Sequence, residues 1–109
     1  HGLLDPLNPI AGGTVNGEYK PPEETTIARW AGYLGAPASP STVTSGGVTT
    51  RTYAPGRDGS ELVSYLVDDM GHTWPGGLSL LPATLVGPVT TKLVGTDVIW
   101  SFFASHPLP

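Results

Sequence analysis

The sequence predicts a mixed α/β fold, and three observations carry that expectation. Residues 23–34 have the apolar spacing of an amphipathic helix, two segments rich in β-branched residues flank a turn cluster between residues 48 and 68, and a second apolar helix closes the chain. A length of 109 residues suits one domain, and such a chain buries roughly two-thirds of the surface its unfolded form exposes. No internal repeat and no shift of composition marks a second domain. The 15 glycines and 12 prolines, about a quarter of all residues, imply short elements and much loop.

The opening HGLLDPLNPIAGG, His1 to Gly13, reads as a loop with ordered bends, because Asp5-Pro6, Asn8-Pro9 and Gly12-Gly13 each disfavour continuation of helix or strand. In PPEETTIARWAGYLG, Ile27, Trp30, Ala31 and Leu34 fall at i, i+3, i+4 and i+7 behind Glu23 and Glu24, two carboxylates suited to the positive end of a helix dipole. A helix from Glu23 to Leu34 follows, ended by a left-handed Gly35 and kept from resuming by Pro37. On this reading Trp30 lies on the apolar stripe and packs in the core. Residues 36–47 are small and polar and read as a surface connection.

Val48 to Ala54 and Glu61 to Asp68 then predict an antiparallel hairpin around PGRDG. In its second strand Val63, Tyr65 and Val67 alternate with Leu62 and Leu66, so both faces are apolar and the strand should lie inside a sheet with a layer on each side. Residues 78–95 have no lasting period and read as irregular. In TDVIWSFFASHP, Thr96 can cap, Asp97 favours a helix start, and Val98, Ile99, Phe102 and Phe103 form an apolar stripe. That last helix ends before Pro107.

Composition narrows function. Charged residues make up 13% and the net charge is -4, which offers no basic surface for nucleic acid or an anionic membrane. There is no cysteine, so no disulfide or zinc-thiolate site is available. His1, His72 and His106 show no i, i+4 pairing of the kind a helical zinc site uses, and no metal is expected. No apolar run approaches the ~20 residues of a membrane span. A first residue that is His, neither an initiator Met nor the start of a signal peptide, reads as a cut.

One stretch stands out chemically. MGHTWPGG, Met70 to Gly77, holds a histidine between glycines at the end of an apolar strand, with Gly71 allowing a tight turn, Pro75-Gly76 setting the exit and Trp74 as a large anchor. A lone histidine in such a loop can also be an ordinary hydrogen-bonded turn residue. A base of the serine-hydrolase type needs a carboxylate to hold its tautomer and stabilise the imidazolium. Asp5, in an earlier loop, is the candidate, although Asp-Pro is also a common turn opening.

Taken in order, HGLLDPLNPIAGG, the Trp-bearing helix, YLVDDMGHTWPGG and DVIWSFFASHP resemble the C-terminal part of the polyhydroxybutyrate depolymerase and feruloyl esterase-like group of α/β-hydrolases. The resemblance covers nearly the whole chain. It implies the C-terminal portion of an α/β-hydrolase fold, with Asp5 as the acid and His72 as the base of a catalytic triad, and with the IWSFF helix packed behind the sheet. It also implies a mostly parallel sheet with helices on both faces, whose upstream strands carry the nucleophile and oxyanion donors. Relatives in that group often place a cysteine after the Trp-bearing helix, where this chain reads LGAPAS from Leu34.

A serine nucleophile is missing. Such a group needs Gly-x-Ser-x-Gly or a close variant on a strand-to-helix elbow, and Ser45, Ser60 and Ser79 all lack that context. The chain therefore reads as the last third or so of a serine carboxylic-ester hydrolase. Polyhydroxyalkanoate, feruloyl, acetyl or short acyl esters are the substrates the resemblance implies, with Trp74 bordering the substrate and no cofactor. It also implies an exported, extracellular or periplasmic enzyme. Expected partners are the nucleophile-bearing N-terminal hydrolase part or further copies of the chain, because an uncovered hairpin leaves strand edges and apolar faces open. The alternative is a noncatalytic carbohydrate-binding or assembly module presenting Trp30, Tyr33, Tyr53, Tyr65 and Trp74.

Overall fold

A computed structural model describes residues 1–107. They form a small mixed α/β arrangement of two antiparallel sheets and three α-helices. The first sheet is a short hairpin of β1 (Gly13–Val15) and β2 (Glu18–Lys20). Its two-residue turn, Asn16-Gly17, has both residues at positive φ, the backbone twist that tight hairpins favour. Next comes α1 (Glu23–Leu34), which ends at Gly35 with φ 63°, where the glycine N–H returns to the carbonyls of Ala31 and Gly32.

The second sheet has three strands in the order β3 (Ser41–Ser45), β4 (Val48–Tyr53) and β5 (Leu62–Val67). The predicted hairpin is therefore present, with Val48 opposite Val67 and Tyr53 opposite Leu62. Its connection contains a single 3-10 turn, Arg57–Gly59. The predicted surface connection over residues 36–47 needs correction, because Ser41–Ser45 pairs with β4 across Gly46-Gly47. This strand is exposed on both faces, so it never acquires the apolar alternation by which strands are read.

The position of β5 also differs from expectation. It ends the sheet instead of lying within it, and among the described residues its outer edge is met by the chain start alone. There the His1 backbone nitrogen donates to Tyr65 O at 2.7 Å, Val67 N–H to His1 O at 2.9 Å and Leu3 N–H to Val67 O at 2.9 Å. This ladder makes Gly2 and Val67 a parallel bridge beside an otherwise antiparallel sheet.

The two faces of β5 meet different helices. Ser64 Oγ donates to Glu23 Oε1 of α1 at 3.0 Å, on the face where Leu66 is buried. Within α1 only Ala31 is buried. Trp30, expected in the core, is 56% exposed: the buried residue of α1 is its neighbour Ala31, and one position along a helix turns a side chain by about 100°.

The last helix, α3 (Gly95–Ser105), begins one residue before the predicted Thr96 cap, with Val94 at the N-cap position and no side-chain cap. It lies along the other face of β5 and leaves an apolar groove of about 310 Å³ lined by Val63, Tyr65, Val98, Ile99 and Phe102, among others. His106 closes that end, its ring stacked on Phe102 at 4.3 Å and its Nε2 3.2 Å from Glu61 Oε2. Residues 78–95, expected to be irregular, include one short helix, α2 (Ala83–Val86).

Few side chains are fully enclosed. Ala31, Tyr53, Leu66, Val67, Met70 and Val86 form the apolar core, while Trp100, Phe103, Leu78 and Leu80 are largely exposed. The radius of gyration is 14.9 Å, against about 13 Å for a closed domain near this length. Among the described residues no helix is long and apolar enough to cross a membrane.

Candidate active site

The core beneath the site is the end of β5. Val67 is fully enclosed and Met70 nearly so, and on this support the first loop and the histidine loop meet backbone to backbone. Leu4 N–H donates to Met70 O at 2.9 Å. Gly2 has no side chain for a physical reason, since a Cβ there would overlap the Met70 carbonyl. Past this contact the chain turns at Asp5, whose Oδ1 accepts the N–H groups of Leu7 and Asn8 at 2.8 Å each. A carboxylate that satisfies two amides of its own turn is held in one rotamer.

The histidine loop is held from its other side by a segment that had shown no pattern. Gly71 N–H donates to Pro88 O at 2.8 Å, His72 N–H to Val86 O at 2.6 Å and Gly76 N–H to Thr90 O at 3.1 Å. Thr73 Oγ1 donates to Pro88 O at 3.2 Å. Gly71 is needed for close approach, not for an unusual turn: a Cβ on it would overlap the Val86 carbonyl. Gly87 does the same from the opposite side, at φ 80°, where an added Cβ would lie 2.8 Å from Gly71 Cα and 2.9 Å from Leu4 O. Three backbone layers thus stack without side chains between them.

Below this stack, Thr90 is almost wholly buried, and its hydroxyl donates to Asp69 Oδ1 at 2.7 Å while accepting Lys92 N–H at 3.1 Å. The hydroxyl's hydrogen bond is the main reason the Asp69 carboxyl sits below its ordinary value, with Lys92 adding to the effect. Lys92 bridges Asp68 and Asp69 and is itself pushed up, first by its bond to Asp68. These contacts fasten the exit of β5, from which the histidine loop departs.

The structure brings the two candidate residues together. His72 Nδ1 lies 2.9 Å from Asp5 Oδ2. An ionised carboxylate only accepts, so Nδ1 carries the proton, and in the neutral ring Nε2 is then the nitrogen with the lone pair. The pair is asymmetric: the Asp5 side chain is 6% exposed and that of His72 54%. A fixed, enclosed carboxylate therefore faces an imidazole that is about half open to solvent. His72 borders an open hollow of about 500 Å³, whose lining also includes His1, Asp5, Asn8, Thr73 and Trp74. The Trp74 ring lies against Gly95 at the start of α3 and is 55% exposed, so it walls the hollow instead of filling the core.

This arrangement can accept a proton at Nε2 and stabilise the resulting imidazolium through Asp5. Among the described residues no serine lines the hollow, and no cluster of three metal-ligating side chains occurs. Sequence reasoning located Asp5, His72 and Trp74 but passed over Gly2, Gly87, Thr90 and His1. Of these, Gly87 had a readable signal as a glycine before a proline, but its partner Gly71 could not be inferred from spacing. No known family model, curated protein or solved structure matches the chain.

Proposed function

We propose that this chain supplies the acid and the base of a serine carboxylic-ester hydrolase, and that its nucleophile comes from a polypeptide segment outside these 109 residues. The single observation that carries the reading is the 2.9 Å contact between His72 Nδ1 and a nearly enclosed Asp5, with His72 bordering an open hollow. In the reaction, Nε2 takes the proton of a serine hydroxyl as that oxygen attacks the ester carbonyl, and returns it to the leaving alcohol. A water then repeats the cycle on the acyl group and releases the acid. Asp5 keeps the imidazole in the Nδ1–H tautomer throughout. The substrate classes are polyhydroxyalkanoate, feruloyl, acetyl or short acyl esters, with Trp74 bordering the bound group.

Two further features support it. Asp5 and His72 both follow the C-terminal ends of neighbouring segments that run in parallel, His1–Leu3 and β5, and α/β sheets gather their sites at such ends. The outer edge of β5 ahead of Tyr65 meets no described strand, so a nucleophile-bearing half has an edge on which to continue the parallel ladder. The test is to mix the chain with the serine-bearing N-terminal part of an esterase of the resembled group and follow p-nitrophenyl acetate cleavage. Restored turnover that His72→Ala abolishes is the expected result. Turnover indifferent to His72→Ala overturns the reading.

A second reading, a carbohydrate-binding module, is favoured by Trp30 and Tyr33, which project from α1 at 56% and 78% exposure with ring centroids 6.4 Å apart. Tyr53 is buried and Tyr65 lines the groove under α3, so neither belongs to such a platform. Oligosaccharide binding lost in Trp30→Ala and kept in His72→Ala distinguishes it.

A further inference from the structure

His1 shares the hollow with His72, and nothing in the proposed reaction uses it. Its side chain is only 16% exposed. Its Nε2 is 2.8 Å from the carbonyl oxygen of Asn8 and 3.8 Å from Asp5 Oδ2, the same carboxylate oxygen that receives His72. A carbonyl cannot donate, so Nε2 of His1 is the protonated nitrogen. An N–H edge is therefore directed at the turn that carries Asp5, with the carboxylate oxygen 3.8 Å away.

We propose that His1 is a positioning residue for the acid and base pair, a role that rests on the hydrolase reading for its catalytic meaning but not for its structural test. The turn at Asp5 is held from within by two amides on Oδ1, one of them from Asn8. That alone fixes the carboxylate relative to residues 7 and 8, and not relative to the sheet. Leu4 N–H ties the entry of the turn to Met70 O, and His1 ties its far end: its backbone is laddered onto β5 through Tyr65 and Val67, and its ring holds the Asn8 carbonyl. Sheet, turn and carboxylate become one frame, and Oδ2 is left aimed at the histidine loop. Without the His1 donor, the Asn8 end of the turn can swing about the Leu4 anchor and carry the carboxylate away from His72 while residues 5–8 keep their internal bonds.

The donor, not the bulk of the ring, is what the role requires, and this separates positioning from space filling. His1→Phe keeps a ring of similar size and loses the N–H, whereas His1→Gln keeps an amide donor on a flexible stem. The direct readout is the downfield proton resonance of His72 Nδ1–H in the ¹⁵N-histidine-labelled chain, assigned by its loss in His72→Ala. The signal is expected to persist in His1→Gln and to disappear or broaden in His1→Phe, at unchanged far-UV circular dichroism. Persistence in His1→Phe, or loss in a folded His1→Gln, overturns the proposal. If His1→Phe fails to fold, His1→Gln alone decides by the same criterion. In the reassembled esterase, His1→Phe should lower kcat by up to about 100-fold, the cost of a misplacement on the order of 1 Å, with KM unchanged and kcat largely recovered in His1→Gln. An esterase inactive with every version of the chain would count against the hydrolase reading and leave the resonance test of His1 intact.

Discussion

Asp5 Oδ2 and His72 Nδ1 stand 2.9 Å apart although 67 positions separate them in the chain. Neither loop could bring this about alone. The contact exists because His1–Leu3 runs parallel to the end of β5, so that two chain segments leave the sheet side by side, and because glycines at 2, 71 and 87 let their backbones touch.

Replacing the acid separates its two duties. In Asp5→Asn the side-chain oxygen can still accept from Leu7 and Asn8, but an amide nitrogen facing His72 favours the wrong imidazole tautomer. Ester turnover in the reassembled enzyme is expected to fall on the order of 10⁴-fold with little change in unfolding midpoint. Asp5→Ala also strands two turn amides, at a cost of about 1–3 kcal/mol where they are shielded from water, read by urea denaturation.

The glycine stack makes a steric prediction. Gly71→Ala must displace residues 86–87, since the added methyl overlaps backbone that cannot rotate away. A loss of roughly 1–3 kcal/mol follows by analogy with overpacked cores, together with faster amide hydrogen exchange at His72. Gly77→Ala, where the nearest atom is the Trp74 carbonyl oxygen at 3.2 Å, is the mild control. Equal effects of the two would contradict the stacking account.

The bond between Thr90 and Asp69 implies a pH signature. A carboxyl whose folded value lies below its unfolded one stabilises the fold above the unfolded value, here 3.8, and loses that contribution as pH falls through the folded value. Lys92 is raised, so its contribution holds below 10.5 and is lost as pH climbs through the folded value. The difference in melting temperature between the wild-type chain and Thr90→Val should therefore be widest near neutrality and shrink below pH 3.8. A difference independent of pH across the acid range would detach Asp69 from the effect.

Exposed apolar surface predicts association. The groove between β5 and α3, the free part of the β5 edge and exposed Trp100 and Phe103 are surfaces that a solitary monomer seldom leaves open. Size exclusion with light scattering should give a mass above that of one 11.3 kDa chain, and Val63→Lys, which puts a charge into the groove, should lower it. A sharp monomer peak with cooperative unfolding would argue that the surface is tolerated.

Local chemistry was legible where neighbours in sequence decide conformation. The bounds of α1 followed from its apolar spacing and Gly35, and the β4–β5 hairpin from β-branched runs around a turn cluster. His72 and Trp74 stood out because their loop carries glycine and proline at positions that constrain the backbone, and Asp5 because a histidine base of the hydrolase type needs a carboxylate from an earlier loop. β3 escaped notice because nothing covers either of its faces, and Trp30 was misplaced because apolar spacing cannot say which member of a stripe meets the sheet.

By itself, then, the sequence determined α1, α3 and the β4–β5 hairpin, since each depends on interactions within a few residues. Only the tertiary structure decided that Asp5 and His72 meet, that Nδ1 is the ring nitrogen facing the carboxylate, and that residues 86–90 bond to the histidine loop and His1 to the Asp5 turn. Those outcomes rest on backbone hydrogen bonds and close glycine contacts between segments distant in the chain, and no periodicity along the sequence records them.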